Sequence, residues 1–299
     1  MTPNIELAAP RDFGEIINDT FTFIRQNFKP LLKYFFIFCG FFILVTASMT
    51  ILLQIKAVNL VDNYDPNSFD QANGFTRVFS LLWVYLVLAL FLVLQYVAIN
   101  VTILCFITLY KQKKNIIPTP EEMWGYIKYF YLRILGSTII LYLLIGVGMV
   151  FCILPGIYLS VVFVLVPPIM IMENTSFGYA FNKSFRLIKD NWWVTFGVIV
   201  VISIILYVIN LAVSIPSMVL GAGNVFLHIT KRSASLSLPV AILTALVDSI
   251  SYFFHILMIV AVSLCYFNLA ETKEGTGLME RINQFGTTDT APDAAPEEY

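Results

Sequence analysis

The side chains of this chain that could do chemistry are polar residues set inside long apolar runs. Asp248, Ser251, Tyr252 and His255 recur at a spacing that puts them on one face of a helix. A carboxylate in the middle of an apolar segment is costly, and it commonly marks a proton or substrate site. The same carboxylate near the end of a segment needs no such role, so the sequence leaves both interpretations of Asp248 open.

Three neutral polar residues, Gln95, Asn100 and Asn210, also interrupt apolar runs. Such side chains usually hydrogen-bond a neighbouring helix, but they can also line a path for a solute. His255 is expected to hydrogen-bond between helices rather than to bind a metal. The candidate intramembrane polar site consists of Asp248, Tyr252, His255, Gln95, Asn100 and Asn210.

The usual signatures of catalysis are missing from the sequence. It has two histidines, His228 and His255, and no phosphate-binding glycine loop, nucleophile elbow or zinc motif. Its four cysteines are widely spaced within apolar runs, as small buried residues are. We therefore expect no catalytic residue, no metal, no cofactor and no enzymatic activity.

The composition is that of a membrane protein. Hydrophobic residues make up 59% of the chain and charged residues 12%, about half the charged fraction of soluble domains. The formal net charge of −1 and the lack of a basic domain argue against nucleic-acid binding. So much apolar surface requires lipid to cover part of it.

Six apolar runs are long enough to be membrane spans, for which about 20 residues suffice. They are Leu31–Ile55, Val78–Tyr110, Ile134–Leu154, Ile157–Met172, Val194–Ile215 and Pro239–Ala270. Pro155-Gly156 predicts a tight hairpin between the third and fourth spans. Pro167-Pro168 predicts a kink or break in the fourth.

The distribution of basic residues predicts the orientation. With the N-terminus in the cytoplasm, only Lys56, Arg77, Lys231 and Arg232 of the 18 basic residues lie in outer loops. Basic residues concentrate on the cytoplasmic side of membrane proteins. Both termini are therefore expected in the cytoplasm, and the polar tail 275–299 is expected to be disordered.

An amphipathic helix occurs twice. In residues 13–28, FGEIINDTFTFIRQNF, Phe13, Ile17, Phe21, Ile24 and Phe28 form one apolar face, as in a helix lying on the membrane surface. Residues 177–192, FGYAFNKSFRLIKDNW, are identical to them at six positions. Either two unrelated amphipathic helices share a composition, or the chain contains a duplication at an offset of 164.

A weaker third unit starts at Thr119-Pro120-Glu121-Glu122, a strong helix start. The predicted fold is an all-α integral membrane protein with six transmembrane helices. They form three parallel repeats, each an interfacial amphipathic helix plus a transmembrane hairpin. The membrane domain covers 1–274, with units at about 11–110, 119–172 and 175–270.

The run ILPGIYLSVVFVLVPPIMIMENTSFGYAFNKSFRLIKDNWWVTFGV, residues 153–198, resembles a bacterial family. The resemblance lies in Leu154–Leu159, Pro167-Pro168, Glu173 and the segment from Ser184 to Asn191-Trp192. The family is the membrane domain attached to some glycerophosphoryl diester phosphodiesterases, with related stand-alone multi-pass proteins. Their catalytic barrel has no counterpart here, so the resemblance implies a bacterial cytoplasmic membrane, and the phosphodiesterase activity is not carried over.

Two functions follow as expectations. The first is a non-enzymatic scaffold or assembly subunit of the cytoplasmic membrane, whose interfacial helices contact membrane lipids or other membrane or cytoplasmic proteins. The alternative is a transporter or channel-like protein for a lipid or small solute, using the polar residues within the spans. Polar residues that face one cavity would favour the second, or a membrane-embedded enzyme, over the first.

Overall fold

The computed structural model describes residues 5–62, 71–229 and 237–275. All regular structure in these ranges is helical. In chain order the helices are α1 (Phe13–Gln26), α2 (Phe28–Asp62), α3 (Gln71–Gln112), α4 (Pro120–Phe151), α5 (Ile153–Phe163), α6 (Val166–Met172), α7 (Phe177–Ile188), α8 (Trp192–Ile229) and α9 (Ser237–Glu274).

Among the described residues, six stretches are long and apolar enough to cross a membrane, which agrees with the predicted number. They are Phe28–Lys56, Leu81–Gln112, Pro120–Phe151, Ile153–Met172, Trp192–Val219 and Leu238–Glu274. Large apolar side chains on their outer surfaces, such as Phe41, Leu44 and Leu132, are about 70% exposed. The chain is therefore an all-helical, multi-pass membrane protein, because only lipid would cover such side chains favourably.

Local sequence signals account for two helix starts. Asp12 accepts a hydrogen bond from the Glu15 backbone N–H, and the Glu15 side chain bonds back to Asp12, which is a capping box. Thr119 and Glu122 form the same arrangement in front of α4, with Pro120 at its first position. Both predicted helix starts are confirmed.

The hairpin between α4 and α5 turns three residues earlier than Pro155-Gly156 suggested. The chain reverses at Cys152, whose backbone is extended. Pro155 lies in the first turn of α5. Backbone N–H groups there have no partner within the helix, so proline, which lacks the N–H, costs no hydrogen bond. Gly156 packs against α4, because an added Cβ would lie 3.0 Å from the Met149 backbone N. The dipeptide therefore sets the close approach of the two helices rather than the turn itself.

The predicted break in the fourth span is present. Helix α5 ends at Phe163, and α6 begins at Val166 with proline in its first turn. Proline fits at the start of a helix but interrupts one from within. Val164 and Leu165 therefore separate two helical pieces within one span.

The middle unit does not contain a separate interfacial helix. The sequence predicted one from Thr119 and a distinct span from Ile134, but α4 runs without interruption from Pro120 to Phe151. The first and last units break at Asn27 and at 189–191 respectively. In the middle unit the helix continues straight into its span.

Helices α3, α6 and α9 contact one another and carry most of the buried core. These are the last helices of the three predicted units. Both α1 and α7 lie at the C-terminal end of α9: the Arg11 backbone N–H donates to Asn268 Oδ1 at 2.8 Å, and Lys183 contacts Glu274. We call this the amphipathic-helix end of the bundle.

Burial on α1 follows a different face from the predicted stripe. Ile16, Thr20 and Phe23 are buried against the protein, whereas Phe13 and Phe21 stay about 40% exposed. In α7 the buried residues include Ala180, Ser184 and Leu187, each 164 positions after a buried residue of α1. The repeat and the membrane-surface position of these helices stay predictions, and the predicted disordered tail lies almost entirely outside the described residues.

Candidate functional site

A partly open cavity of about 580 Å³ lies between α3, α8 and α9. We call it the lateral cavity. Each helix lines it with residues at steps of three and four, which is one helix face. The lining residues are Leu92, Gln95, Tyr96 and Ile99 of α3, Tyr207, Asn210, Leu211 and Ser214 of α8, and Val247, Asp248, Ser251, Tyr252 and His255 of α9.

Gln95 is the most buried polar residue of this cavity, with 1% of its surface exposed. The Thr46 hydroxyl of α2 donates to Gln95 Oε1 at 2.7 Å, while Gln95 Nε2 has no partner. Thr46 Oγ1 also lies 3.0 Å from the carbonyls of Phe42 and Ile43. With the amide turned over, Nε2 would donate to Thr46 and Oε1 would lack a partner. In both orientations one end of the amide is held and the other is left unbonded.

Asn210 and Asp248 face the same space from the other two helices. The buried Asn210 Oδ1 has no hydrogen-bond partner. Asp248 is half-buried, and within the described residues its carboxylate forms no ion pair and no hydrogen bond. A buried polar atom without a partner costs about 1–3 kcal/mol. The residues that line the lateral cavity therefore include two such atoms, Gln95 Nε2 and Asn210 Oδ1, beside the half-buried Asp248 carboxylate.

A second cavity, the central cavity of about 190 Å³, adjoins the first. Tyr96 and His255 line both, with their ring centroids 5.4 Å apart. The central cavity is otherwise mainly apolar and reaches Pro167 and Pro168 at the break between α5 and α6. Two rings thus separate the two volumes.

The structure brings five of the six candidate residues to the lateral cavity: Gln95, Asn210, Asp248, Tyr252 and His255. Asn100 lies in the central cavity instead, and its Nδ2 donates to Tyr96 O at 2.9 Å within its own helix. His255 contacts the Tyr96 ring, and no hydrogen bond links it to a described residue.

Sequence reasoning missed Tyr96, Tyr207 and the role of Thr46. The first two could have been found, because Tyr207, Asn210 and Ser214 repeat the spacing that singled out the α9 face. Thr46 could not, since its relation to Gln95 arises only when α2 packs on α3.

A contrasting polar region, which we call the ion-pair network, lies at the amphipathic-helix end. Lys183 of α7 is 6% exposed and contacts Glu173 Oε1 at 2.9 Å and Glu274 Oε2 at 2.6 Å. Arg186 Nη2 contacts Glu274 Oε1 at 2.7 Å, and the Tyr266 hydroxyl donates to Glu173 Oε1 at 2.6 Å. Sequence reasoning noticed Glu173 and missed its partners, which lie up to about a hundred residues away.

Charge and burial act in opposite directions on the Lys183 ammonium group. Burial lowers its pKa, but the hydrogen bonds and negative charges of Glu274 and Glu173 outweigh burial and leave the pKa above its usual value. At the exposed edge, the hydrogen bond from Lys273 lowers the pKa of Asp190. The network therefore keeps its charges, and each buried charge has a partner.

Within 5–62, 71–229 and 237–275, no three His, Cys, Asp or Glu side chains converge as metal ligands would. No family model, curated protein or solved structure matches the chain. The resemblance carried by residues 153–198 to the membrane domain of phosphodiesterases therefore stays a prediction.

Proposed function

We propose that this chain is a non-enzymatic membrane protein that binds a small solute in the lateral cavity and passes it on through the central cavity. This is the transporter or channel-like alternative of the sequence analysis. The observation that carries it is the convergence of Gln95, Asn210 and Asp248, each with a polar atom that has no protein partner, on one volume.

A scaffold role explains these atoms less well. Polar residues that only join helices should bond to one another, since an unsatisfied buried group destabilises the fold. A bound solute, in contrast, would supply the missing partners. The adjoining central cavity, which ends at the break between α5 and α6, offers a continuation for that solute.

The finer architecture belongs to the same proposal. We infer three parallel units in the bacterial cytoplasmic membrane, with both termini in the cytoplasm and α1 and α7 on the inner surface against lipid. Helices α1 and α2 start 164 residues before α7 and α8, which supports the duplication.

Cys152 is exposed at the hairpin turn, so an impermeant maleimide should label it from outside intact cells. Labelling only after the cells are opened would reverse the orientation.

Access of water-soluble reagents tests the proposed binding and passage. In a Cys152→Ser background the remaining native cysteines, Cys39, Cys105 and Cys265, are buried. Ser251→Cys then reports on the lateral cavity and Thr138→Cys, where the native residue is 6% exposed, on the central cavity. Ser263→Cys on α9, at a position 1% exposed and outside both linings, is the matched control.

We expect methanethiosulfonate reagents to modify Ser251→Cys readily and Thr138→Cys more slowly, and to leave Ser263→Cys intact. If Ser251→Cys is as inert as the control, the cavity binds no solute and the scaffold role is the better explanation. Reaction at position 251 without any at position 138 would contradict passage through the central cavity.

A further inference from the structure

We propose that the ligand of the lateral cavity is an organic cation carrying N–H donors, a protonated amine, and that Asp248 is its counter-ion. This inference rests on the proposed function, since it names the class of solute that the cavity binds. It draws on the charge, the acceptor atoms and the aromatic rings of the cavity wall.

The charge of the wall is one-sided. In the part of the chain that the structure describes, no Lys or Arg side chain lines the cavity, and Asp248 has no ion-pair partner. A half-buried carboxylate without a counter-charge is unfavourable, and a cationic ligand would remove that penalty on binding. An anionic ligand would add to it.

One acceptor and the aromatic rings of the wall favour the same sign. Asn210 Oδ1 is a buried acceptor without a donor, and an ammonium group supplies donors. Tyr96, Tyr207 and Tyr252 bring three aromatic rings to the wall. Aromatic ring faces carry negative potential and attract cations.

The size of the cavity separates an organic cation from a bare metal ion. A volume of about 580 Å³ lies within the range of small-molecule sites, roughly 300–1,000 Å³. A hard metal cation instead requires about six oxygen ligands converging at about 2.0–2.6 Å. One carboxylate and scattered amides around this volume do not provide such a shell.

The charge of the reagent used on Ser251→Cys tests the inference. Position 251 lies one helical turn from Asp248 on the same face. We divide the rate of each reagent with Ser251→Cys by its rate with a free thiol in solution. On this scale we expect a trimethylammonium methanethiosulfonate to react at least about tenfold faster than a sulfonate one, because a cleft lined by one sign of charge concentrates counter-ions. Asp248→Asn should remove most of that preference.

The outcomes distinguish the inference from the proposed function. Failure of both reagents at position 251 overturns the proposed function and the inference with it. Equal reaction of both, or a preference that persists in Asp248→Asn, overturns the cation inference and leaves solute binding standing. Glu121→Gln, an exposed carboxylate at the amphipathic-helix end, is the charge-matched control and should leave the preference unchanged.

Protection by a small amine tests binding directly. The probe is 2-phenylethylammonium, compared with its neutral isostere 2-phenylethanol. We expect the amine to slow labelling of Ser251→Cys by the neutral reagent methyl methanethiosulfonate at least about threefold more than the alcohol does, and Asp248→Asn to abolish the difference. Equal protection by both compounds would contradict a cation site.

Discussion

The ion-pair network and the lateral cavity both place polar groups inside an apolar bundle, but they satisfy those groups in opposite ways. Around Lys183, every polar group has a partner. The Lys183 ammonium, the Arg186 guanidinium and the Tyr266 hydroxyl each contact a carboxylate of Glu173 or Glu274 at 2.9 Å or less. Around Asp248, the carboxylate and two amide side chains line one cavity, and Gln95 Nε2 and Asn210 Oδ1 have no hydrogen-bond partner. Complete pairing is expected of a structural element, whereas atoms left without partners around a cavity are expected of a binding site. Burial alone does not distinguish the two; pairing does.

The largest effect is expected from Lys183→Met. The substitution leaves Glu173 and Glu274 without their shared partner, and breaking a buried pair in this way destabilises by about 3 kcal/mol or more. Thermal unfolding of the purified protein in detergent measures it. Arg186→Gln is the control, because Arg186 contacts the same Glu274 but is 65% exposed and should lose less than about 1 kcal/mol. If both substitutions lower the free energy of unfolding equally, burial of Lys183 adds nothing to the strength of its ion pairs.

Alkaline pH should reproduce part of that loss. The pKa of Lys183 is raised in the folded protein above its ordinary value of 10.5. A raised pKa adds stability that is fully present below the unfolded-state pKa and is lost as pH rises through the folded-state pKa. The free energy of unfolding, followed from pH 8 upward, should therefore fall above about pH 10.5. Lys183→Met is the control, because it lacks the titrating ammonium group. If the free energy of unfolding falls equally in both proteins, groups other than Lys183 cause the fall.

Gln95→Leu should change stability little although Gln95 is more buried than Lys183. The leucine removes the unbonded amide atom, and the Thr46 hydroxyl keeps the carbonyls of Phe42 and Ile43. Replacing a partly satisfied polar group by an apolar one of similar size is close to neutral, within about 1 kcal/mol. Unfolding measurements check this. A loss as large as that of Lys183→Met would make Gln95 a structural residue.

The smallest effect is expected from Asp190→Asn at the exposed edge of the network. Its ion pair with Lys273 is 2.9 Å long, but the Asp190 side chain is 73% exposed. Water screens such pairs, so the unfolding temperature should not change measurably at neutral pH. A clear fall in the unfolding temperature would show that the exposed pair also stabilises the fold. The ion-pair network would then stabilise the protein over a larger area than its buried part.

The sequence by itself determined the class of fold and the local starts and interruptions of helices. Five apolar runs longer than about 20 residues and a shorter one, Ile157–Met172, predicted six spans. The Asp12 and Thr119 caps predicted two helix starts, and Pro167-Pro168 predicted the broken span. These features depend on neighbours within a turn or on transfer from water to lipid, both of which can be evaluated along the chain.

Only the tertiary structure decided which polar residues meet. Asp248 was conspicuous in the sequence, but its place beside Gln95 and Asn210, and apart from Asn100, depends on how α3, α8 and α9 rotate about their axes. Lys183 was inconspicuous on an amphipathic helix until Glu274, 91 residues away, packed against it. Rotation and pairing of helices arise from contacts between distant segments. A helical period predicts which residues share a face, but it does not specify what that face will touch.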